Sequence, residues 1–453
     1  MGKSQAYHPE QAILSLGDGF FDPVEAAAFP EHKLRFFNRR WAERIGLGEI
    51  DVAAHFGRFE PLERNLPRPL ALRYHGHQFR HYNPDIGDGR GFLFAQLRDD
   101  AGRLLDLGTK GSGQTPYSRF GDGRLTLKGG VREVLATEML EALGVNTSKS
   151  FALVETGEEL TRNDEPSPTR SAVLTRLSHG NVRIGSFQRL AFLEDEARIT
   201  VLASYGLRNL FGEDSDDPLR LFALVADRTA ELAAAYLTAG FVHGVLNSDN
   251  INISGESFDY GPWRFAPTWD EAFVAAYFDQ SGLYAFGRQP EAIHWDLAQL
   301  GGCLALVADG PALAEILAGW SKSFEQALFG KLIARLGIEA SDDDRPLVAA
   351  LLKALRIQSV TIDRLFFDWR GGRGPDEYDA PEFAVLRHQL EGRTPLPGAL
   401  DHEYWRDIGP CSMPIEEVEA IWAAISDGDD WGPFNAKIAA IRRMGDAMTS
   451  PCA

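Results

Sequence analysis

His243-Gly244-Val245-Leu246-Asn247-Ser248-Asp249-Asn250, followed by Asp259-Tyr260-Gly261, is the densest run of chemistry in the chain. Asn250 falls seven residues after His243, and Asp259 nine residues after Asn250. An amide and a carboxylate at that interval are two hard oxygen donors of the kind that suit magnesium or manganese. The rest of the reading works outward from this segment.

The interval is that of the kinase catalytic loop, H-x-D-x-x-x-x-N, and of the D-F-G turn after it, whose Asn and Asp hold metal under the phosphates. One position breaks the pattern. Val245 stands where the catalytic Asp belongs, and a valine cannot accept a proton from a hydroxyl. A carboxylate recurs four residues later, at Asp249. Upstream pieces fall in kinase order. Lys110 ends an apolar strand, and Glu133, twenty-three residues on, lies in the first turns of a helix, placed to pair with it. Gly87-Asp88-Gly89-Arg90 precedes the first strand, where a nucleotide loop belongs, although it lacks the full G-x-G-x-x-G. Singly, a Lys–Glu pair reads as a surface salt bridge, a D-x-G triplet as a turn, His243 as structural, and Arg176 and Arg183 as solvated charges. The ordered set outweighs those readings.

Around these residues the pattern predicts an α+β protein. Phe92–Leu97 and Leu104–Leu107 flank Asp99-Asp100-Ala101-Gly102, a hairpin signal. A glycine-dense loop over 110–123 leads to a helix from about Gly130 to Leu143, ended by Gly144. Val145–Thr156 and Ser171–Leu177 read as further strands, giving a small antiparallel sheet with one helix against it. The first eighty residues read as a polar lead-in with a short helix near Phe36–Ile45. Beyond Leu190, helical spacing recurs over 219–239, 296–308, 311–329 and 346–359, with a loop-rich island at 243–284. The expected units are a lead-in (1–70), a small lobe (71–190), a helical lobe carrying the metal and catalytic loops (191–370) and a helical extension (371–453).

Composition sets the outer limits. The chain has 453 residues, 44% hydrophobic and 25% charged, as expected of a globular protein with sizeable cores. Its formal charge of −19 argues against a nucleic-acid partner, which needs a basic face, but not against a triphosphate held by a few focused arginines. Three cysteines, Cys303, Cys411 and Cys452, match no metal spacing and no disulfide framework. With no apolar leader and no run able to span a bilayer, no membrane association is expected and the cytoplasm is the expected compartment.

With these strings in view, the sequence closely resembles the selenoprotein O family of protein adenylyltransferases, which have a two-lobed, protein-kinase-like fold. The resemblance rests on Tyr74-His75-Gly76-His77-Gln78-Phe79, Asp85-Ile86-Gly87-Asp88-Gly89-Arg90, Leu107-Gly108-Thr109-Lys110-Gly111-Ser112-Gly113, Thr115-Pro116-Tyr117-Ser118-Arg119, Val131-Arg132-Glu133 and the two segments quoted first. It runs over roughly residues 10 to 370. It implies ATP lying flipped relative to a kinase, so that the α-phosphate meets the hydroxyl of a protein substrate. Arg90, Lys110, Arg176 and Arg183 match the family's nucleotide-binding positions, with Gly87, Gly89, Asp122 and Gly123 lining the pocket and Glu133 and Asp259 completing it. Asn250 and Asp259 match its ligands for Mg2+ or Mn2+, and Asp249 its proton acceptor. UMP in place of AMP, an unusual phosphotransferase, or a non-catalytic nucleotide scaffold remain alternatives on sequence alone.

Three positions depart from the family pattern. Gln114 replaces a usual lysine, lowering the cation count by one. Ala275 stands where some bacterial members carry a cysteine able to bond a C-terminal cysteine, so Cys452 lacks that partner. Gly409-Pro410-Cys411-Ser412 departs from the usual Asn-Pro-containing segment, which points to altered substrate docking.

Overall fold

Strands Leu93–Arg98 and Leu104–Lys110 pair antiparallel, with Leu97 opposite Leu105, around the turn the sequence marks. The Asp99 carboxylate accepts from the Ala101 and Arg103 amides at 3.0 and 2.9 Å, and Gly102 supplies the positive φ of 76°. This hairpin is the centre of a nine-stranded antiparallel sheet in the computed structural model, which describes residues 6–163 and 165–449. The main path runs Phe21–Pro23, Leu70–Leu72, Leu93–Arg98, Leu104–Lys110, Thr169–Ser178, Lys149–Leu160, Lys33–Phe37. Pro9–Glu10 and Leu125–Thr126 pair at its margins. Four of these strands precede residue 73, so the segment read as a polar lead-in supplies part of the sheet. They are two to five residues long, too short to show an alternation.

Both faces of the sheet are covered, and side-chain alternation sorts the residues between two cores. Val173, Leu177, Phe151, Val154, Leu105 and Leu107 point into one core with Phe56, Phe59 and Phe94. The Phe151 ring meets those of Phe37 and Phe56 edge-on at 5.5 and 5.4 Å. Ala172, Leu174, Leu153 and Leu104 point the other way, onto the Leu127–Ala142 helix. That helix starts three residues before the expected Gly130, because the Thr126 hydroxyl caps it by accepting from the Gly129 amide at 3.1 Å.

The second half is helical, as the spacing indicates. Pro218–Ala239 packs against Gln289–Leu304 and Gly310–Leu336, and Arg345–Leu355 and Pro381–Leu390 pack together beyond them. Two last helices, Ile415–Gly428 and Gly432–Thr449, fold back against the Leu127–Ala142 helix. Between Val242 and Phe286 the chain is mostly loop, with one 3-10 turn at Ser248–Asn250 and one strand, Arg264–Phe265. No helix among the described residues is long and apolar enough to cross a membrane. Cys303 and Cys411 are free thiols, and Cys452 lies outside the described residues.

One buried carboxyl on the central hairpin makes stability depend on pH. Asp106 is 2% exposed and accepts from the Gln96 and Asn181 side-chain amides at 2.7 and 3.2 Å. Burial nevertheless pushes its carboxyl up to about 6. The folded chain therefore holds this proton more tightly than the unfolded chain, and the site's contribution to stability is lost as pH rises from about 4 to 6. Asp106→Asn should flatten this part of the profile. Its unfolding free energy relative to wild type should rise across that interval by about 2 kcal/mol, read by urea unfolding at a series of pH values.

Candidate active site

Sheet register brings the first two cations together. Leu174 lies opposite Lys110 and Arg176 opposite Gly108, so Lys110 and Arg176 project from the same face as diagonal neighbours. The helix behind that face presents Glu133, which is fully buried. Lys110 Nζ donates to Glu133 at 2.6 Å, and Arg176 reaches the other Glu133 oxygen at 3.3 Å. The predicted Lys–Glu pair is thus formed inside the protein, and it is not a surface pair.

Asp259 completes the cluster from the opposite side. Its φ of 62° places it in the left-handed region, turning its carboxylate toward the cations. Lys110 lies 2.8 Å away, Arg176 3.4 Å and Arg183 3.9 Å. Burial opposes its ionisation, but the charges of Lys110, Arg176, Arg183 and Arg90 outweigh that and hold the carboxyl well below its usual range. Arg183 is itself 4% exposed. It is sandwiched between the Tyr74 and Phe258 rings, at 4.4 and 4.7 Å, and donates to the Asp249 carbonyl at 3.0 Å. Its remaining terminal nitrogen lies 3.3 Å from Asp88, while its Nε has no partner.

These groups border a cavity of about 810 Å³ between the sheet and the loops of the helical half. Gly87, Gly89, Arg90, Lys110, Asp122, Gly123, Arg176, Arg183, Asp249 and Asp259 all line it. Asp122 sits at the exposed rim with its carboxylate turned to Arg162 at 2.8 Å. Glu133 and Asn250 do not line the cavity. Glu133 acts through Lys110 and Arg176. The Asn250 amide nitrogen donates to the Val245 carbonyl at 3.0 Å, which leaves its amide oxygen for another partner.

Two loops build the cavity's outer wall. The Thr115 hydroxyl donates to the Asp88 carbonyl and the Ser118 hydroxyl to the Gly89 carbonyl. The Tyr117 ring lies so close under Gly87 that a methyl group there would sit 2.5 Å from it. Asp22, from the first strand of the main path, accepts from both the Tyr117 hydroxyl and Arg73. Sequence reading missed Asp88 as a site residue, although it sits within the quoted Gly87–Arg90 loop. Its carboxylate fixes that loop by accepting from the Leu72 amide at 3.0 Å while it faces Arg183.

Asp249 is roofed by the Tyr74–Phe79 segment. A methyl group on Gly76 would lie 2.9 Å from the Asp249 carboxylate. The roof is pinned to the 243–250 loop: the His77 amide donates to the Ser248 hydroxyl at 2.7 Å, and the Phe79 amide to Asn247 at 3.0 Å. Ser248 in turn donates to Gln188 at 2.6 Å. Asp249 is left 7% exposed with Oδ1 unpartnered, and burial pushes its carboxyl up to about 6. His243 is structural. Its Nε2 meets the Phe258 carbonyl at 3.0 Å and its Nδ1 faces the Val245 amide, tying the 243–250 loop to the Asp259 turn. Ala275, at the position where the resemblance implies a cysteine in some members, packs against Gly244.

Among the described residues no three His, Cys, Asp or Glu side chains form a metal cage. The Asn250 amide oxygen and the ionised Asp259 are nonetheless hard oxygen donors of the kind that would suit a divalent cation.

A buried, cation-lined cleft with carboxylates along it has the chemistry that suits a polyanion such as a nucleotide's phosphates. The family model described as protein adenylyltransferase SelO matches residues 4–407, and the chain belongs to that family. A protein nucleotidyltransferase YdiU from Synechocystis sp. is 42% identical, over 94% of this chain and 96% of the relative. Another from Gloeobacter violaceus is 42% identical over 96% and 95%. A third, from Synechococcus elongatus, is 40% identical over 96% and 95%.

Glu133→Gln tests the buried cluster directly. It removes the charge that compensates Lys110 and Arg176 while Asp259 stays in place. Unfolding free energy should fall by about 2 kcal/mol, below the full cost of breaking a buried pair, as read by denaturant titration.

Proposed function

We propose that the chain transfers AMP from ATP to Ser, Thr or Tyr hydroxyls of proteins and releases pyrophosphate. The observation that carries this reading is a substitution of position. Val245 occupies the kinase base position, while the Asp249 carboxylate faces the same cavity as Arg90, Lys110, Arg176 and Arg183. Membership of the family makes the chain a nucleotidyltransferase. The finer assignments are ours. Residues 6–190, including the short strands of the first seventy residues, form the small lobe of a kinase-like fold, and residues 191–370 form the large lobe. Residues 371–449 are a helical extension, and the free thiols of Cys303 and Cys411 fit a reducing cytoplasm.

In the arrangement the family implies, ATP lies flipped in the cleft, so its β- and γ-phosphates need cations outside the usual kinase positions. Arg176 and Arg183 supply fork-shaped donors there, already oriented by Glu133, Asp88 and the two aromatic rings. The acceptor hydroxyl attacks the α-phosphorus in line as the bond to the pyrophosphate oxygen breaks. Asp249 takes the hydroxyl proton, and a pKa near the working pH suits it to that role. Asn250 and Asp259 would hold Mg2+ or Mn2+, which supplies neutralisation of phosphate charge when bound. Lys110 and the arginines balance the negative charge that moves onto pyrophosphate.

Incubation with ATP and magnesium or manganese, followed by intact-mass analysis of the chain and of added protein substrates, tests the reading. An AMP adduct absent from Asp259→Ala is the expected result; a phosphate adduct would make the chain a kinase instead. Asp249→Asn should lower kcat by about 10²- to 10⁴-fold with ATP binding retained, the range of a lost general base.

A further inference from the structure

The Lys110–Glu133 pair exists only if the Leu127–Ala142 helix is held at one rotation and one height against the sheet. The last two helices hold it. Val418, Ile421 and Ile425 of the first, and Phe434, Ile438, Ile441 and Met444 of the second, share one apolar core with Val131, Val134, Leu135 and Met139. Three charged ties then fix the position of this C-terminal pair.

Arg442 forks onto Glu138 through two bonds of 2.7 Å, and Glu138 is 5% exposed. Glu138 lies five residues beyond Glu133, about 140° around the helix, so Arg442 grips the helix from behind the face that Glu133 presents. Glu419 meets Lys128 at 2.7 Å and Arg132 at 3.4 Å, gripping the first turns on the other side of Glu133. Asp429 sits where the two helices join, with φ 49°. It accepts from Arg35 and Arg170 at 2.8 Å each and from Lys33 at 3.2 Å, tying the pair to two strands of the sheet. Arg35 and Arg170 also share Glu155, at 2.5 and 2.6 Å, so this last tie is a network.

We infer that the Ile415–Thr449 helix pair is a built-in clamp that positions Glu133, with Arg442, Glu419 and Asp429 as positioning residues for the nucleotide site. The inference rests on the reading of the cleft as a nucleotide site, not on which group is transferred. None of the three touches the cavity. Each acts through the helix that carries Glu133, or through the strands on which that helix rests. A helix pair that merely added stability would leave nucleotide affinity alone in any variant that stays folded.

The test uses the full chain, with ATP and magnesium as the probe and calorimetric Kd as the readout. Arg442→Gln should weaken ATP binding about tenfold, and Arg442→Lys should recover most of it by keeping the charge. In a Glu133→Gln background, Arg442→Gln should add less than about twofold, because both changes remove the same interaction. Asp429→Asn, at a more exposed position, repeats the comparison if Arg442→Gln fails to fold. Unchanged affinity in a variant whose 415–449 amides exchange faster, or full additivity with Glu133→Gln, would overturn the clamp. An unaltered chain that binds ATP but transfers no AMP would defeat the transfer reading alone. One that does not bind ATP would overturn both.

Discussion

A buried cluster of opposite charges is the constraint on which the rest of the structure depends. Lys110, Arg176 and Arg183 are each less than a tenth exposed, and isolated charges at that depth would cost several kcal/mol apiece. Glu133, Asp259 and Asp88 make them tolerable, and each anion comes from a different part of the chain. The helix, the Asp259 turn and the outer loop must therefore all be in place at once. Sheet register is part of the same condition. A one-residue slip between Leu104–Lys110 and Thr169–Ser178 would leave Lys110 and Arg176 on different faces, one of them the face packed by Phe56, Phe94 and Phe151. Arg90, exposed at the edge of the same cavity, brings a further positive charge to the cleft, the condition for seating a polyanion.

Much of this was legible in the sequence because it rests on local chemistry. The hairpin followed from Asp99 and Gly102 between apolar runs, and the catalytic loop and turn from the spacing of Asn250 and Asp259. Lys110 and Glu133 were readable as a pair because strand-end and helix positions are periodic. The short strands before residue 73 were not, since a two- or three-residue strand is defined by its neighbour. The helix start at Leu127 was hidden by Gly129 and Gly130, weak helix formers that put the expected start at Gly130. Asp88 escaped notice because its role depends on the Leu72 amide and on Arg183, both distant in sequence. The C-terminal pair was legible as helical, but not its seat against the Glu133 helix, because Arg442–Glu138 spans some three hundred positions.

The roof over Asp249 connects folding to chemistry more directly than the motif does. Val245 removes the carboxylate that a kinase would use, and the catalytic loop offers Asp249 in a different setting. It is covered by Gly76, whose segment is held by bonds from the His77 and Phe79 amides to the neighbouring Ser248 and Asn247, and one of its carboxylate oxygens is buried without a partner. The same burial that raises its pKa also limits its contact with bulk solvent. The two effects share one cause.

The contact between Tyr117 and Gly87 has a consequence for how this wall of the site can evolve. With the ring and the glycine backbone filling the same space, neither position is free to drift by itself. A side chain at 87 becomes tolerable only after the ring at 117 is lost, and losing the ring also removes a partner of Asp22 near the start of the chain. Residues 22, 87 and 117 are therefore one heritable unit, expected to change together or not at all as lineages diverge.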